Sequence, residues 1–228
     1  MQNIGAERRI QMKLDLYNNP VMRVLSKVAD LMLLNLMFMI SCLPIVTIGT
    51  AISSMYTITL KMVKGEEAYI FKGFLKAFKE NFKVSMLAWL IMLPAGLIII
   101  MNFNLVEYVQ GSGIQTALRV MIFFVGFIYV IVFTYLFPLI ARYETTLKQT
   151  FQNALLMAVS KLPYTILMIA IAIAPFFLVF VNAEMFAIAI LVGLLVGFAG
   201  VAYINSMIFR HVFKSIDALA EELDSQED

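Results

Sequence analysis

The sequence predicts an all-α protein: a polytopic bundle of five to six membrane segments, with a proline-broken N-terminal hairpin and cytoplasmic amphipathic helices. Three observations carry this. Apolar runs cover about 84–101, 117–140, 163–181 and 186–209, with a fifth apolar region at about 28–60; each long run is near the ~20 residues a helix needs to cross ~30 Å of hydrocarbon. Composition is 62% hydrophobic and only 14% charged, with mean hydropathy +0.90, against about 25% charged in soluble domains. Finally, of the 17 Lys and Arg residues, all but Arg119 fall in the termini or in the alternate connections 61–83 and 141–162. Basic loops stay in the cytoplasm on insertion, so both the placement and the threading can be read.

Residues 1–27 are polar and basic (Arg8, Arg9, Lys13, Arg23, Lys27). They read as a cytoplasmic segment, and the apolar region after them as an uncleaved one, because a signal peptide places its apolar core near the start. Region 28–60 has basic residues on both sides, and its SCLPIVTIGTA stretch contains Pro44 and Gly49. Proline removes a backbone donor and glycine tolerates a tight reversal. Two short helices, about 24–43 and 50–63, are therefore expected as a hairpin within 24–63 that crosses or deeply enters the bilayer. A single crossing, five segments in all, would export the N-terminal charges; a re-entrant form is the other alternative.

In 66–83, Phe71, Phe74, Leu75, Phe78 and Phe82 recur at helical spacing, with Lys72, Lys76, Lys79 and Lys83 as a neighbouring stripe. That pattern suits a helix lying in the headgroup region or a docking surface for a cytoplasmic partner. The runs 84–101, 117–140, 163–181 and 186–209 then alternate outward and inward. Arg119 sits at an outer end, where it can snorkel. A second amphipathic stretch, about 144–160, repeats the layout of the first. Residues 210–228 read as a cytoplasmic acidic tail. The whole, 1–228, reads as one membrane domain.

Chemistry is scarce. No metalloprotease, nucleophile-elbow or P-loop motif is present. The one histidine, His211, lies just past the last run, and the one cysteine, Cys42, allows no internal disulfide. No enzyme, metal, cofactor or nucleic-acid function is expected. The centres of the four long runs lack carboxylates, which disfavours proton antiport; Asp30 stands near Lys27 as an end-of-helix pair. Uncharged polar residues are plentiful: Asn35, Ser41, Thr47, Ser53, Ser54, Thr57 and Thr59 early, Tyr129, Thr134 and Tyr135 in the middle, Tyr203, Asn205 and Ser206 late. They read as interhelical hydrogen bonds or as a path for a neutral solute. Gly193, Gly197 and Gly200 give small-residue spacing for close helix contact. Glu66, Glu67, Arg142 and Glu144, at the inner ends of segments, are expected to form ion pairs across the cytoplasmic face.

Two blocks carry a family resemblance. The first, about 35–83, contains Pro44, Thr47, Gly49, Tyr56, Lys61, Gly65, Glu66, Phe71, Phe78, Asn81 and Phe82; the second, about 135–166, contains Pro138, Arg142, Tyr143, Lys148, Asn153, Ala154 and Pro163. Together they resemble the YesL-like family of bacterial integral membrane proteins, whose function is unknown. The resemblance implies a small polytopic protein of a kind encoded beside ATP-driven sugar uptake systems and polysaccharide-degrading enzymes, with no catalytic residues to carry over. The expected function is thus an accessory or regulatory membrane protein of carbohydrate uptake. Its expected partners are the lipid bilayer, subunits of an ATP-driven sugar transporter and a second copy of itself. The chain lacks the Glu-Ala-Ala…Gly coupling pattern of a permease subunit. A facilitator of a small neutral solute such as a sugar, or a structural membrane protein, are the alternatives.

Overall fold

The computed structural model describes residues 20–109, 111–144, 146–180 and 182–227, with side chains through Lys214 except Leu178. Most of the basic N-terminal segment therefore lies outside the described residues, as do the side chains of the acidic tail. The described residues form eight α-helices and no strand: α1 (Pro20–Ser41), α2 (Ile48–Lys64), α3 (Ile70–Leu105), α4 (Ser112–Arg142), α5 (Leu147–Ser160), α6 (Leu162–Leu178), α7 (Ala183–Val192) and α8 (Phe198–Glu227). A 3₁₀ turn, Ile45–Thr47, leads into α2, and a π-helical segment, Gly193–Gly197, joins α7 to α8. Five stretches are long and apolar enough to cross a membrane: α1, α2 with its 3₁₀ turn, α3, α4 and the α7–α8 unit to Lys214. The α5–α6 pair, bent by 100°, makes a sixth when counted as one span. This is a multi-pass membrane protein.

The broken hairpin forms where the sequence places it, with a stronger second arm than expected. Ile45–Lys64 has 20 residues, about 30 Å at 1.5 Å per residue, a full crossing. At the break, the Thr47 hydroxyl bonds the carbonyls of Ser41 (2.7 Å) and Pro44 (2.8 Å) and so closes the turn after Pro44. α2 ends on Gly65, which sits at φ +78 while its N–H reaches the carbonyls of Lys61 and Met62. No atom lies within 4 Å of a Cβ built there, so only the backbone conformation resists substitution. Gly65→Ala is expected to lose about 1–2 kcal/mol, read as a lower melting temperature in detergent, with Gly65→Asn milder.

α2 is the central helix, although its span is the least apolar of the five. It buries Gly49, Thr50, Ala51, Ser53, Ser54, Met55, Ile58, Thr59 and Leu60 among α1, α3, α4 and α8. Small side chains let neighbouring backbones approach. Its hydroxyls are satisfied within the helix, Ser54 and Ser53 on the Thr50 carbonyl and Thr57 on the Ser53 carbonyl, so burial leaves few polar groups bare.

The amphipathic stretch at 66–83 differs from the expected headgroup helix. It is the first part of α3, whose 36 residues span about 54 Å, well beyond ~30 Å of hydrocarbon. Its inner face, Ile70, Phe74 and Ala77, is buried against the bundle, so the stripe is shared between core and surface: Phe71 and Leu75 remain exposed. The second stretch does form a separate helix, α5, which buries Thr150, Ala154, Met157 and Ala158. It opens with a capping box in which Thr146 and Gln149 satisfy each other. The chain then turns sharply into α6 with Pro163 in its first turn. The two stretches are therefore unlike: one runs straight into its span, the other turns through an elbow.

The three late glycines also depart from expectation. A Cβ on Gly193 would meet nothing within 4 Å and one on Gly200 only Val196 at 3.9 Å. Added methyls would thus find room at Gly193 and Gly200, although the π-helical segment that Gly193 and Gly197 bound does pack on α1, where Asn35 reaches the Gly193 carbonyl at 3.1 Å.

Candidate functional site

The residues shared with the family blocks gather at two places, the α1–α2 turn and the basic end of the bundle. At the turn stand Pro44, Thr47 and Gly49. Gly49 faces α3 and α4 so closely that a Cβ would lie 2.5 Å from Trp89 Cβ, 2.7 Å from the Ser85 carbonyl oxygen and 2.9 Å from Phe137.

The basic end is built by the C-terminal turns of α2 and α4, the start of α3 and α8 around residue 210. Asn81 of α3 donates to the Thr57 hydroxyl at 3.4 Å, and Thr57 also reaches the Ala141 carbonyl at 3.4 Å. Arg210 donates to the Val63 carbonyl at 2.9 Å. The Arg142 guanidinium lies 4.7 Å from the Phe213 ring centre and 5.2 Å from that of Tyr143. An aromatic ladder continues inward, Phe213 stacked on Phe209 and Phe209 met edge-on by Tyr135 and Tyr56. Arg142→Ala is expected to lose about 0.5–2 kcal/mol of cation–π attraction, and Arg142→Lys part of it, readable by thermal melts.

Among the described residues, Glu66 and Glu67, expected to pair across the cytoplasmic face, have local partners. Glu66 pairs with Lys64 at 3.7 Å, and Glu67 accepts from the Tyr69 hydroxyl at 3.0 Å, which pushes that phenol's pKa up. Lys76 and Glu80 form an exposed pair at 3.8 Å. Pairs one helical turn or one loop apart cost less chain ordering than pairs across a bundle, and exposed pairs contribute ~1 kcal/mol or less. Lys61, Glu144 and Asn153 are solvent-facing, with Asn153 on the outer side of α5. The candidate residues thus fall into four kinds: packing (Gly49, Tyr56), turn (Pro44, Thr47, Gly65), contacts between elements at the basic end (Asn81, Arg142) and surface (Lys61, Glu66, Glu67, Glu144, Asn153).

The uncharged polar residues mostly bridge helices. Ser53 and Ser85 hydroxyls join α2 to α3 at 2.8 Å, Thr59 and Ser206 join α2 to α8 at 2.7 Å, and Tyr135 and Thr165 join α4 to α6 at 3.1 Å. A double-mutant cycle on Thr59→Val and Ser206→Ala is expected to give about 0.6 kcal/mol, the usual coupling of such pairs in membranes. Asn35 does more. Its amide donates to the carbonyls of Gly193 (3.1 Å) and Leu194 (2.8 Å), while its carbonyl accepts from the Ala199 N–H at 3.1 Å. The side chain fills the gap that the π-helical segment leaves in the backbone ladder. The interhelical bonding expected of Asn35 from the sequence is present, but its tie to a π-helical segment, and the roles of Phe209, Phe213 and Ser85, carry no motif.

A cavity of about 510 Å³ lies between α1, α2, α4, α6 and the α7–α8 unit. Its walls are almost entirely apolar, with Tyr56, Thr134 and Asn205 as polar exceptions. A wholly apolar groove of about 490 Å³ runs between α3, α4 and α6. Among the described residues no group of His, Cys, Asp and Glu is placed to hold a metal.

Residues 31–103 match the family model described as "Protein of unknown function, DUF624". Over 147 residues the chain is 28% identical to "Uncharacterized protein YteU" of Bacillus subtilis (strain 168), an alignment covering 64% of this chain and 65% of that protein. The chain therefore spans about 65% of the length of the curated relative it matches. The matched model runs from α1 through α3, the segment holding the hairpin, Gly49 and the lysine stripe, and the family resemblance read from the sequence is borne out. No solved structure matches.

Proposed function

We propose that this protein is an accessory or regulatory component of bacterial carbohydrate uptake, held in the cell membrane with its basic end and both termini in the cytoplasm, and acting by docking to an ATP-driven transporter. The observation that carries the docking role is the start of α3. Its first turns extend beyond the hydrocarbon and present Phe71 (58% exposed) and Leu75 (43%), with Tyr69 (69%) just before them. Lys72, Lys76, Lys79 and Lys83 line the same surface. Aromatic and aliphatic side chains left outside the bilayer among cations are what an acidic, apolar partner surface recognises. The carbohydrate context is drawn from the family resemblance alone.

The second reading, a facilitator of a neutral solute, draws on the 510 Å³ cavity. A sugar needs many hydrogen-bond partners along its route, and most of the polar residues that could serve are already engaged between helices. The cavity suits an apolar occupant better.

A photoreactive amino acid placed at Phe71 or Leu75, crosslinked in cells grown on plant polysaccharide and analysed by mass spectrometry, tests the docking role. Adducts to a sugar permease or its ATPase are expected. Adducts to lipid or to a second copy of this chain alone would contradict it. Lys72→Glu together with Lys76→Glu is expected to reduce the transporter adduct several-fold.

A further inference from the structure

The α1–α2 hairpin is long enough to cross the membrane, yet its register against the other helices stops it short. α2 and α3 run antiparallel and in step: Thr57 meets Asn81 at 3.4 Å, Ser53 meets Ser85 at 2.8 Å, and Gly49 lies against Trp89. Four residues back along α2 match four forward along α3, which brings the turn at Pro44 level with Pro94. The basic edge of the apolar layer is marked on the same helices. Lys83 is the last lysine of α3, and Arg142 ends α4 just after Ala141, whose carbonyl Thr57 reaches at 3.4 Å. Both place that edge beside Tyr56 of α2. From there to Pro44 the chain rises only about 18 Å, and α1 from Lys27 to Ser41 about 21 Å, at 1.5 Å per residue. α3 from Lys83 to Leu105 and α4 from Arg119 to Arg142 rise about 33–35 Å each, enough for ~30 Å of hydrocarbon.

Packing changes at the same level. The last buried residue of α3 is Met92, the first of α4 is Ile131, and α7 buries none. Asn35 of α1 ties to Gly193 and Leu194, so α7 continues beyond the hairpin. The tip itself suits hydrocarbon. Leu43 is 80% exposed and Ile45 63%, Val46 is exposed beside them, and no residue from Ser41 to Thr47 is charged. The far end of α3 and the turn after it instead carry Asn102, Asn104 and Glu107. A helix break frees carbonyls that hydrocarbon cannot hydrate, and a nearby hydroxyl can take them. The Thr47 hydroxyl does so for Ser41 and Pro44.

We propose that α1–α2 is a re-entrant hairpin: it enters from the basic end, turns near the middle of the bilayer and returns, with Leu43, Ile45 and Val46 in contact with lipid acyl chains. Gly49 sets the depth by seating α2 on Ser85 and Trp89, and Thr47 keeps two carbonyls of the turn bonded there. The crossings are then α3, α4, α6 and the α7–α8 unit, and their even number returns the chain to the side where α1 starts. The depth holds whichever compartment the basic end faces.

The test uses the full chain in a Cys42→Ser background, spin-labelled at one introduced cysteine and reconstituted in phosphatidylcholine vesicles. Leu43→Cys and Ile45→Cys report on the tip. Leu97→Cys, midway along the apolar part of α3, and Glu107→Cys, in the turn after it, are the references. Nitroxide collisions are measured with oxygen, which concentrates in the bilayer centre, and with a neutral nickel chelate, which stays in water. Positions 43 and 45 should give an oxygen-to-nickel ratio close to that at 97 and several-fold above that at 107. A ratio closer to that at 107 overturns the proposal, because the turn then emerges into water. Low collision with both reagents overturns the lipid contact, because protein, such as a second copy of the chain, then covers the tip. Thr47→Ser should melt near wild type in vesicles, whereas Thr47→Val should melt several degrees lower or give little folded protein. Thr47→Val melting with wild type overturns the role of Thr47, since water would then serve the two carbonyls.

Discussion

Gly49→Ala is expected to be among the most damaging single-methyl changes in this protein. The added carbon would sit 2.5 Å from Trp89 Cβ and 2.7 Å from the Ser85 carbonyl oxygen. Neither is the end of a flexible side chain, so α2 and α3 would have to move apart. Overpacking of a dense interior costs about 1–3 kcal/mol, and rigid neighbours put this site at or above the upper end. Separating the two helices also strains the Ser53–Ser85 bond, 2.8 Å long and buried. At about 2–4 °C per kcal/mol for a chain of this size, the melting temperature in detergent should fall by roughly 6–12 °C. Gly49→Leu should yield little folded protein. A change of under ~2 °C in Gly49→Ala would show that α2 and α3 are not packed as described.

Asn35→Leu has the second largest expected effect. It removes three hydrogen bonds at once and leaves the Gly193 and Leu194 carbonyls and the Ala199 N–H without their partner. The average side-chain bond in a membrane contributes about 0.6 kcal/mol, but buried groups left unpaired cost about 1–3 kcal/mol each. A loss of about 2–4 kcal/mol is expected. The distinctive readout is local: hydrogen exchange at Ala199 should accelerate far more than at α2 amides. Uniform acceleration across the bundle, or none, would contradict the role of Asn35 in holding the π-helical segment. Asn35→Gln, which keeps the amide but misplaces it by one methylene, should fall between.

Much of the architecture is legible because the bilayer imposes few solutions. Apolar length sets the spans, and the placement of Lys and Arg sets which ends belong together. The hairpin at Pro44 follows from one proline and one short-range hydroxyl, so local chemistry sufficed. What local chemistry could not give is which helix is central. α2 looked weak because serines and threonines lower its hydropathy, yet those residues, with Gly49, are what allow four neighbours to close around it. Interior position in a membrane bundle is a property of partners, and a single sequence does not list them. The same reason hid the role of Asn35, whose partners lie more than 150 residues away. The 66–83 stretch misled in the opposite sense. A stripe of phenylalanines is equally compatible with lipid and with protein, and only packing shows that Phe74 faces α1 and α2 while Phe71 does not. Nor does the sequence tell that Glu66 and Glu67 find partners a few residues away, Lys64 and Tyr69, among the described residues.

The central claim is that the basic end is a cytoplasmic docking face and the α3–α4 turn lies on the other side of the membrane. The single cysteine makes this directly measurable. In a Cys42→Ser background, one cysteine is introduced at Lys76, near the start of α3, or at Glu107, in the exposed turn after α3. Intact cells with the outer surface opened to reagents are treated with a membrane-impermeant maleimide, before and after permeabilisation. The account predicts that the cysteine at position 107 is labelled in intact cells and the one at position 76 only after permeabilisation. Labelling at position 76 in intact cells, or the same behaviour at both positions, would contradict it.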